Sequence, residues 1–161
     1  MSTIPRDTTP AATTDCGSYL LLIRVSKKCR VAVGRLGTIP FPRGWYVYAG
    51  SAMRGLSARL ARHRRAAKKL HWHIDYLLAS APARLVECRA YPSATKLECR
   101  LNRAVLALDG ARPAARGFGS SDCSQGCEAH LTYFTTKPDL AALPFSQRKE
   151  KRDDKGQDRS G

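Results

Sequence analysis

Tyr46 and Tyr48 lie two residues apart in Trp45-Tyr46-Val47-Tyr48-Ala49-Gly50. Two residues is the repeat of a β-strand, so both phenols are carried on one face. The alternation breaks at Gly50-Ser51-Ala52. Beyond it Leu56, Leu60, Ala67 and Leu70 recur at helical spacing, which predicts a helix fed by the strand through a tight turn. On that helix Arg59 and His63 are four apart and share a face. Arg54, Arg59, Arg62, Arg64, Arg65, Lys68 and Lys69 crowd the helix and its ends, and no acidic residue lies between 54 and 69. Aromatic hydroxyls, an imidazole able to act as a general base and dense positive charge beside one turn suit chemistry on a phosphate backbone. The plainer alternatives are core packing for each tyrosine and a solvated helix face for the charge run.

The elements that must position these groups follow from the pattern. Gly17 to Val25 is an apolar run long enough for a central strand, and Lys27-Lys28 makes a turn into a second, antiparallel strand from Arg30 to Val33. Gly37, Pro40, Pro42 and Gly44 mark 34–44 as a loop. The aromatic-rich stretch from His71 reads as a short helix continuing to Ala79, and Leu85 to Tyr91 as a further strand. Ser93 or Thr95 opens a second long helix with Leu97, Leu101, Val105 and Leu108 on its buried stripe, and Gly110 closes it. A loop from Arg112 to Asp122, a compact cysteine-bearing segment from Cys123 and a last strand from His130 to Thr135 complete the chain. The expected fold is α/β mixed, a small and mostly antiparallel central β-sheet flanked by α-helices. Residues 1–15 are Thr, Pro and Ala with little to bury, and 146–161 form a charged tail, so both are expected to be disordered around one domain at 16–145.

The 161 residues carry a net charge of +15 and a pI near 10.1. Residues 1–15 hold a net −1 and 146–161 a net +2, which leaves +14 on 16–145, where only seven residues are acidic. The excess therefore belongs to the domain, and it predicts a polyanionic partner or an acidic surface. No stretch approaches the roughly 18 apolar residues of a membrane span, and the N-terminus lacks the order of a signal peptide. A cytoplasmic location follows, in which the six cysteines are reduced thiols or metal ligands rather than disulfides. Oligomeric state leaves no mark in the sequence.

Gly17-Ser18-Tyr19 on the first strand and Tyr48-Ala49-Gly50 on the later one come side by side in one antiparallel sheet. With these triplets in the right order, the sequence resembles the GIY-YIG nuclease superfamily over roughly residues 16–136. Arg59 matches that family's helix arginine, His63 a histidine of some branches, and Glu98, at the start of the second long helix, its metal-binding glutamate. Two departures stand out: the middle residues of the triplets are Ser18 and Ala49, and residues 26–44 lengthen the gap between them. His71-Trp72-His73-Ile74-Asp75-Tyr76 and Gly119-Ser120-Ser121-Asp122-Cys123 further resemble the Uri-type branch.

The resemblance implies a metal-dependent endonuclease that hydrolyses phosphodiester bonds of nucleic acid, DNA first, with Tyr19, Tyr48, Arg59 and His63 catalytic and one Mg²⁺ or other divalent cation on Glu98. Arg54, Arg62, Arg64, Arg65, Lys68 and Lys69 are the expected backbone contacts. Either tyrosine could be the base. A phenol of pKa near 10 is a poor base in water, and the cationic neighbours are expected to lower it. Glu98 has a rival explanation in the capping box Thr95-x-x-Glu98. Cys123, Cys127 and His130 place two thiolates and an imidazole within reach of one tetrahedral ion, zinc by type, with Cys88, His71 or His73 as fourth ligand. Cys16, Cys29 and Cys99 lie on apolar elements and read as core, and Asp75 as a residue that orients a neighbouring histidine. Two readings compete with cleavage: a non-cleaving nucleic-acid-binding module on the same scaffold, and a small zinc-bound interaction domain.

Overall fold

The computed structural model describes residues 15–66, 68–120, 123, 125–145 and 148–149. Nearly all of the expected segment 1–15, most of the tail at 146–161, and Ala67, Ser121, Asp122 and Ser124 lie outside the described residues.

Strand β1 (Gly17–Val25) runs down the middle of a six-stranded sheet. It is paired antiparallel on one side with β4 (Gly44–Ala52) and on the other with β5 (Ala83–Pro92). Both faces of β1 are covered, which is why its sequence is an unbroken apolar run rather than an alternation. Tyr19, Leu21 and Ile23 pack on one face with Leu56, Leu60, Ile74 and Leu77, from helices α1 (Leu56–Arg64) and α2 (His73–Leu78). Leu20 and Leu22 pack on the other with Leu101 and Val105 of α3 (Glu98–Leu106). The short strands β6 (Arg112–Pro113) and β7 (Leu131–Phe134) extend the sheet beyond β4, and β8 (Arg148–Lys149) beyond β5, all antiparallel. The α/β mixed, mostly antiparallel architecture expected from the sequence is thus the one observed.

Several boundaries differ, each for a physical reason. The segment 34–44 is not all loop: Thr38–Phe41 is strand β3, paired with β2 (Cys29–Ala32). This hairpin is a separate two-stranded sheet, held by Val33 and Phe41 in the core. The basic helix stops at Arg64, so Leu70 is exposed instead of continuing its buried stripe. Lys68 Nζ folds back to donate to the carbonyls of Arg62, His63 and Arg65, satisfying the helix end with a cation where the dipole favours one. Helix α3 starts at Glu98, with Leu97 at its N-cap and no side-chain cap bond, and it ends at Leu106, short of Gly110. The Thr95 capping box therefore does not form, and it does not explain Glu98.

Candidate active site and metal cluster

Sheet register sets the two tyrosines. Tyr19 pairs opposite Gly50, and Leu21 opposite Tyr48, so the phenols lie diagonally on one face with ring centroids 6.4 Å apart. Two glycines make room for them. A Cβ on Gly50 would stand 2.5 Å from the Tyr19 hydroxyl, and one on Gly119, whose φ is +72°, would stand 2.8 Å from the Tyr48 ring. Tyr19 Oη and His63 Nε2 are hydrogen-bonded at 2.9 Å in a buried contact. Arg59 donates to the Ser51 carbonyl at 3.0 Å, and its guanidinium lies 4.2 Å over the Trp72 ring. Tyr19, Tyr48, Arg59 and Glu98 thus come from four elements to line one cavity of about 400 Å³, together with His71, Trp72, His73 and Lys96.

The electrostatics overturn one expectation. Burial pushes Tyr19 up to about 12, and the hydrogen bond and charge of Arg59 only partly oppose it. Burial likewise holds Tyr48 well above the ordinary phenol value. Desolvation of the phenolate thus exceeds the pull of the cations. His63 moves the other way: burial, with Lys68, Arg59 and Arg62 adding to it against Asp75, lowers it to about 4. At neutral pH the pair is a neutral phenol against a neutral imidazole.

Glu98 sits at the first position of α3, partly open to the cavity. Although burial raises it, the neighbouring His130 ring, 3.1 Å away, and the Ser51 hydroxyl hold its carboxyl below the usual range, so it is ionised. A serine that sequence reasoning passed over sets this helix start. Ser18 Oγ accepts the Leu97 N–H at 2.7 Å and meets Ser51 Oγ at 2.7 Å, fully buried. Its signal was the departure at the middle of the first triplet, a small hydroxyl at the start of an otherwise apolar central strand.

The expected nucleic-acid contacts divide. Arg54, Arg64, Arg65 and Lys69 are exposed. Arg62 instead forks onto Asp75 with two bonds of 2.9 Å and donates to the Lys69 carbonyl at 2.6 Å, and Lys68 is taken up by the helix end. Asp75, wholly buried, also accepts the backbone N–H groups of His71 and Trp72. It orders the turn before α2 rather than a histidine ring.

The cysteines also regroup. Cys99, Cys123, Cys127 and His130 bring one ligand atom each to within 4.8 Å of one another, a Cys₃His cluster able to hold a metal ion. Cys99 Sγ lies 3.5 Å from Cys123 Sγ and 3.7 Å from His130 Nε2. For comparison, tetrahedral bonds of about 2.3 Å to zinc set sulfurs roughly 3.8 Å apart. Cys99, buried as a core residue would be, is therefore also the fourth member of the cluster. Cys88 is buried in the core on β5, opposite Leu21, His71 lies on the cavity wall, and His73 Nδ1 accepts the Gly119 N–H at 2.8 Å. Cys29 is half-buried against the core, and Cys16, also half-buried, donates to the Ser93 carbonyl. Gln125 N–H points at Cys123 Sγ, the kind of donor that stabilises a thiolate. Burial opposes the Cys123 thiolate, but backbone N–H groups at Cys127 and Gln125 bring its pKa below the ordinary value. The loop is tied down by Asn102, which donates to the Ala129 carbonyl, and by the bond from His130 N–H to the Phe118 carbonyl.

Among the described residues no helix is long and apolar enough to cross a membrane. The chain belongs to the family described as Domain of unknown function DUF123, whose model matches residues 18–151. No curated protein and no solved structure matches it.

Proposed function

We propose that the protein is a metal-dependent endonuclease that hydrolyses phosphodiester bonds of nucleic acid, DNA first, in the manner of the GIY-YIG superfamily and its Uri-type branch. The observation that carries this reading is the convergence of Tyr19, Tyr48, Arg59 and Glu98 on one cavity. The exposed cations Arg54, Arg65 and Lys69 beside it suit a polyanion.

Tyr19 is the better candidate for the base, because an acceptor stands behind it. As the attacking water gives its proton to the Tyr19 oxygen, the hydroxyl proton passes to neutral His63 Nε2 over the 2.9 Å bond. A phenol of pKa about 12 therefore need not ionise beforehand. Arg59 lines the cavity with its plane braced on Trp72, placed to take charge developing on the phosphate. The hydroxyl of Tyr48, with no hydrogen-bond partner among the described residues, is left to contact phosphate or leaving group. The donor set at Glu98 fits a hard cation: one ionised carboxylate at the cavity, room for waters, and hydroxyl oxygens nearby. Such an ion, when bound, neutralises phosphate charge. The soft Cys₃His set suits a second, different ion, zinc.

The alternative, a binding module that does not cut, draws on the raised pKa of both phenols. Purified protein incubated with labelled duplex, single-stranded and branched DNA and RNA, with Mg²⁺ or with EDTA, separates the two. Cleavage with Mg²⁺ alone, reduced about 10²-fold or more in Tyr19→Phe and Glu98→Gln proteins that still bind, is the expected result. Salt-sensitive binding without cleavage of any substrate would give first place to the binding module.

A further inference from the structure

His130 is the one imidazole that faces both metal-binding groups. It is almost wholly buried, at 1% exposure, and its two ring nitrogens have different neighbours. Nε2 looks into the sulfur cluster, 3.7 Å from Cys99 Sγ. Nδ1 lies 3.1 Å from Glu98 Oε2, off the line of a directed hydrogen bond but within ion-pair distance. Glu98 and Cys99 are also consecutive residues in the first turn of α3, a helix start without a side-chain cap. The carboxylate of the cavity is therefore joined to the cluster twice, along the chain and across the His130 ring.

We propose that a Zn²⁺ held by Cys99, Cys123, Cys127 and His130 is a closed structural centre that positions Glu98 at the mouth of the cavity, with His130 as the shared positioning residue. The coordination chemistry requires this arrangement. A metal on Nε2 takes a neutral imidazole, so the remaining ring proton sits on Nδ1, where it faces Glu98 Oε2. The carboxylate–histidine–metal chain that results fixes the tautomer and the ring at one end, and one carboxylate oxygen at the other. The carboxylate itself stays partly exposed on the cavity wall. Three cysteines and a histidine fill a tetrahedron, so this ion has no open position and does not itself carry out chemistry. The segment from Cys123 to Cys127 has little to bury, and its exposed Gln125 and Gly126 form no regular element, so the ion supplies the order that packing does not.

The role assigned to Glu98 rests on the nuclease reading, but the link itself does not, and it is tested without any cleavage assay. Full-length protein purified without added metal should carry about one zinc per chain by elemental analysis. Linkage is reciprocal, so removing the Glu98 charge should weaken the zinc. Competition against a chromophoric chelator should show the zinc affinity of Glu98→Gln reduced by roughly 10–100-fold. His130→Cys keeps four ligands but cannot reach Glu98, so in that background Glu98→Gln should leave zinc affinity unchanged. If the double variant does not fold, the comparison of Glu98→Gln with the parent decides alone. A chain without zinc overturns the proposal, as does zinc held equally tightly with and without the Glu98 charge. Coupled zinc binding in a protein that never cuts would leave the link standing and remove only the nuclease reading. Undiminished Mg²⁺-dependent cleavage by a zinc-free, folded protein would do the reverse.

Discussion

Gly50→Ala tests the construction of the tyrosine site with a single methyl group. The new Cβ would stand 2.5 Å from Tyr19 Oη, 2.6 Å from Cζ and 3.0 Å from Cε1, against the 3.4 Å or more of an ordinary contact. The ring edge must therefore retreat by about 0.9 Å, working from the closest contact. It has little room to do so, since Tyr19 is 2% exposed and packed between His63, at 5.3 Å between centroids, and Tyr48. A shift of that size breaks or distorts the 2.9 Å bond to His63. Overpacking costs about 1–3 kcal/mol and the lost buried bond about 1 more, while replacing a strand glycine returns roughly 0.5–1. The net loss is about 1–3 kcal/mol, or on the order of 3–10 °C in Tm for a chain of this length. Thermal melts followed by circular dichroism measure it, and cleavage measured below the melt should fall with the displaced hydroxyl. An alanine variant that melts within about 1 °C of the parent and keeps its activity would show that the Tyr19 ring does not cross Gly50.

Asp75→Asn leaves the Arg62 guanidinium without its counter-charge and should cost about 2–4 kcal/mol in urea melts, below the usual figure for a buried pair because Arg62 is partly in solvent. His63, lowered from 6.5 to about 4, is a base that the unfolded chain protonates first. Its stabilising contribution is therefore complete above pH 6.5 and is lost as pH falls towards 4. Melts between pH 4 and 7 should show that decline flattened in His63→Gln. Arg65→Ala should lower the salt dependence of nucleic-acid binding by about 0.9 per lost phosphate contact, whereas Arg62→Ala should chiefly lower Tm, and the reverse pattern would return Arg62 to the binding surface.

The sheet and its tyrosines were legible because their signals are local. An apolar run makes β1 a buried strand, and the period of two that aligns Tyr46 and Tyr48 is visible within seven residues. What failed was long-range. The run of cations on α1 gives no sign that Arg62 is neutralised by Asp75, thirteen residues on, because that pairing depends on how α2 is laid back against the end of α1. Cys99 falls on the apolar stripe of an amphipathic helix, and its 8% exposure agrees with a core reading. Its role appears only when α3 is laid against the 123–130 loop. The usable clue was arithmetic: two cysteines and a histidine within eight residues need one more soft ligand, and Cys99 stood next to the expected metal-binding Glu98.

The density of positive charge invites the conclusion that it exists to ionise a tyrosine, but the geometry argues otherwise. Arg59 both charges and hydrogen-bonds Tyr19, yet burial still leaves the phenol at about 12. More distant cations act through solvent and do less. The same burial that keeps Tyr19 protonated keeps His63 neutral, and a neutral imidazole can accept the phenol's proton where an imidazolium could not. Desolvation thus makes free tyrosinate scarce at neutral pH while keeping beside Tyr19 the neutral imidazole that the proposed relay requires. Gly50, by admitting the ring, and α1, by carrying Arg59 and His63 one turn apart, bring the phenol, the imidazole and the guanidinium to a single face of the sheet. On the nuclease reading proposed above, the cationic surface would then do what suits solvent-exposed charge, drawing a polyanion towards the cavity.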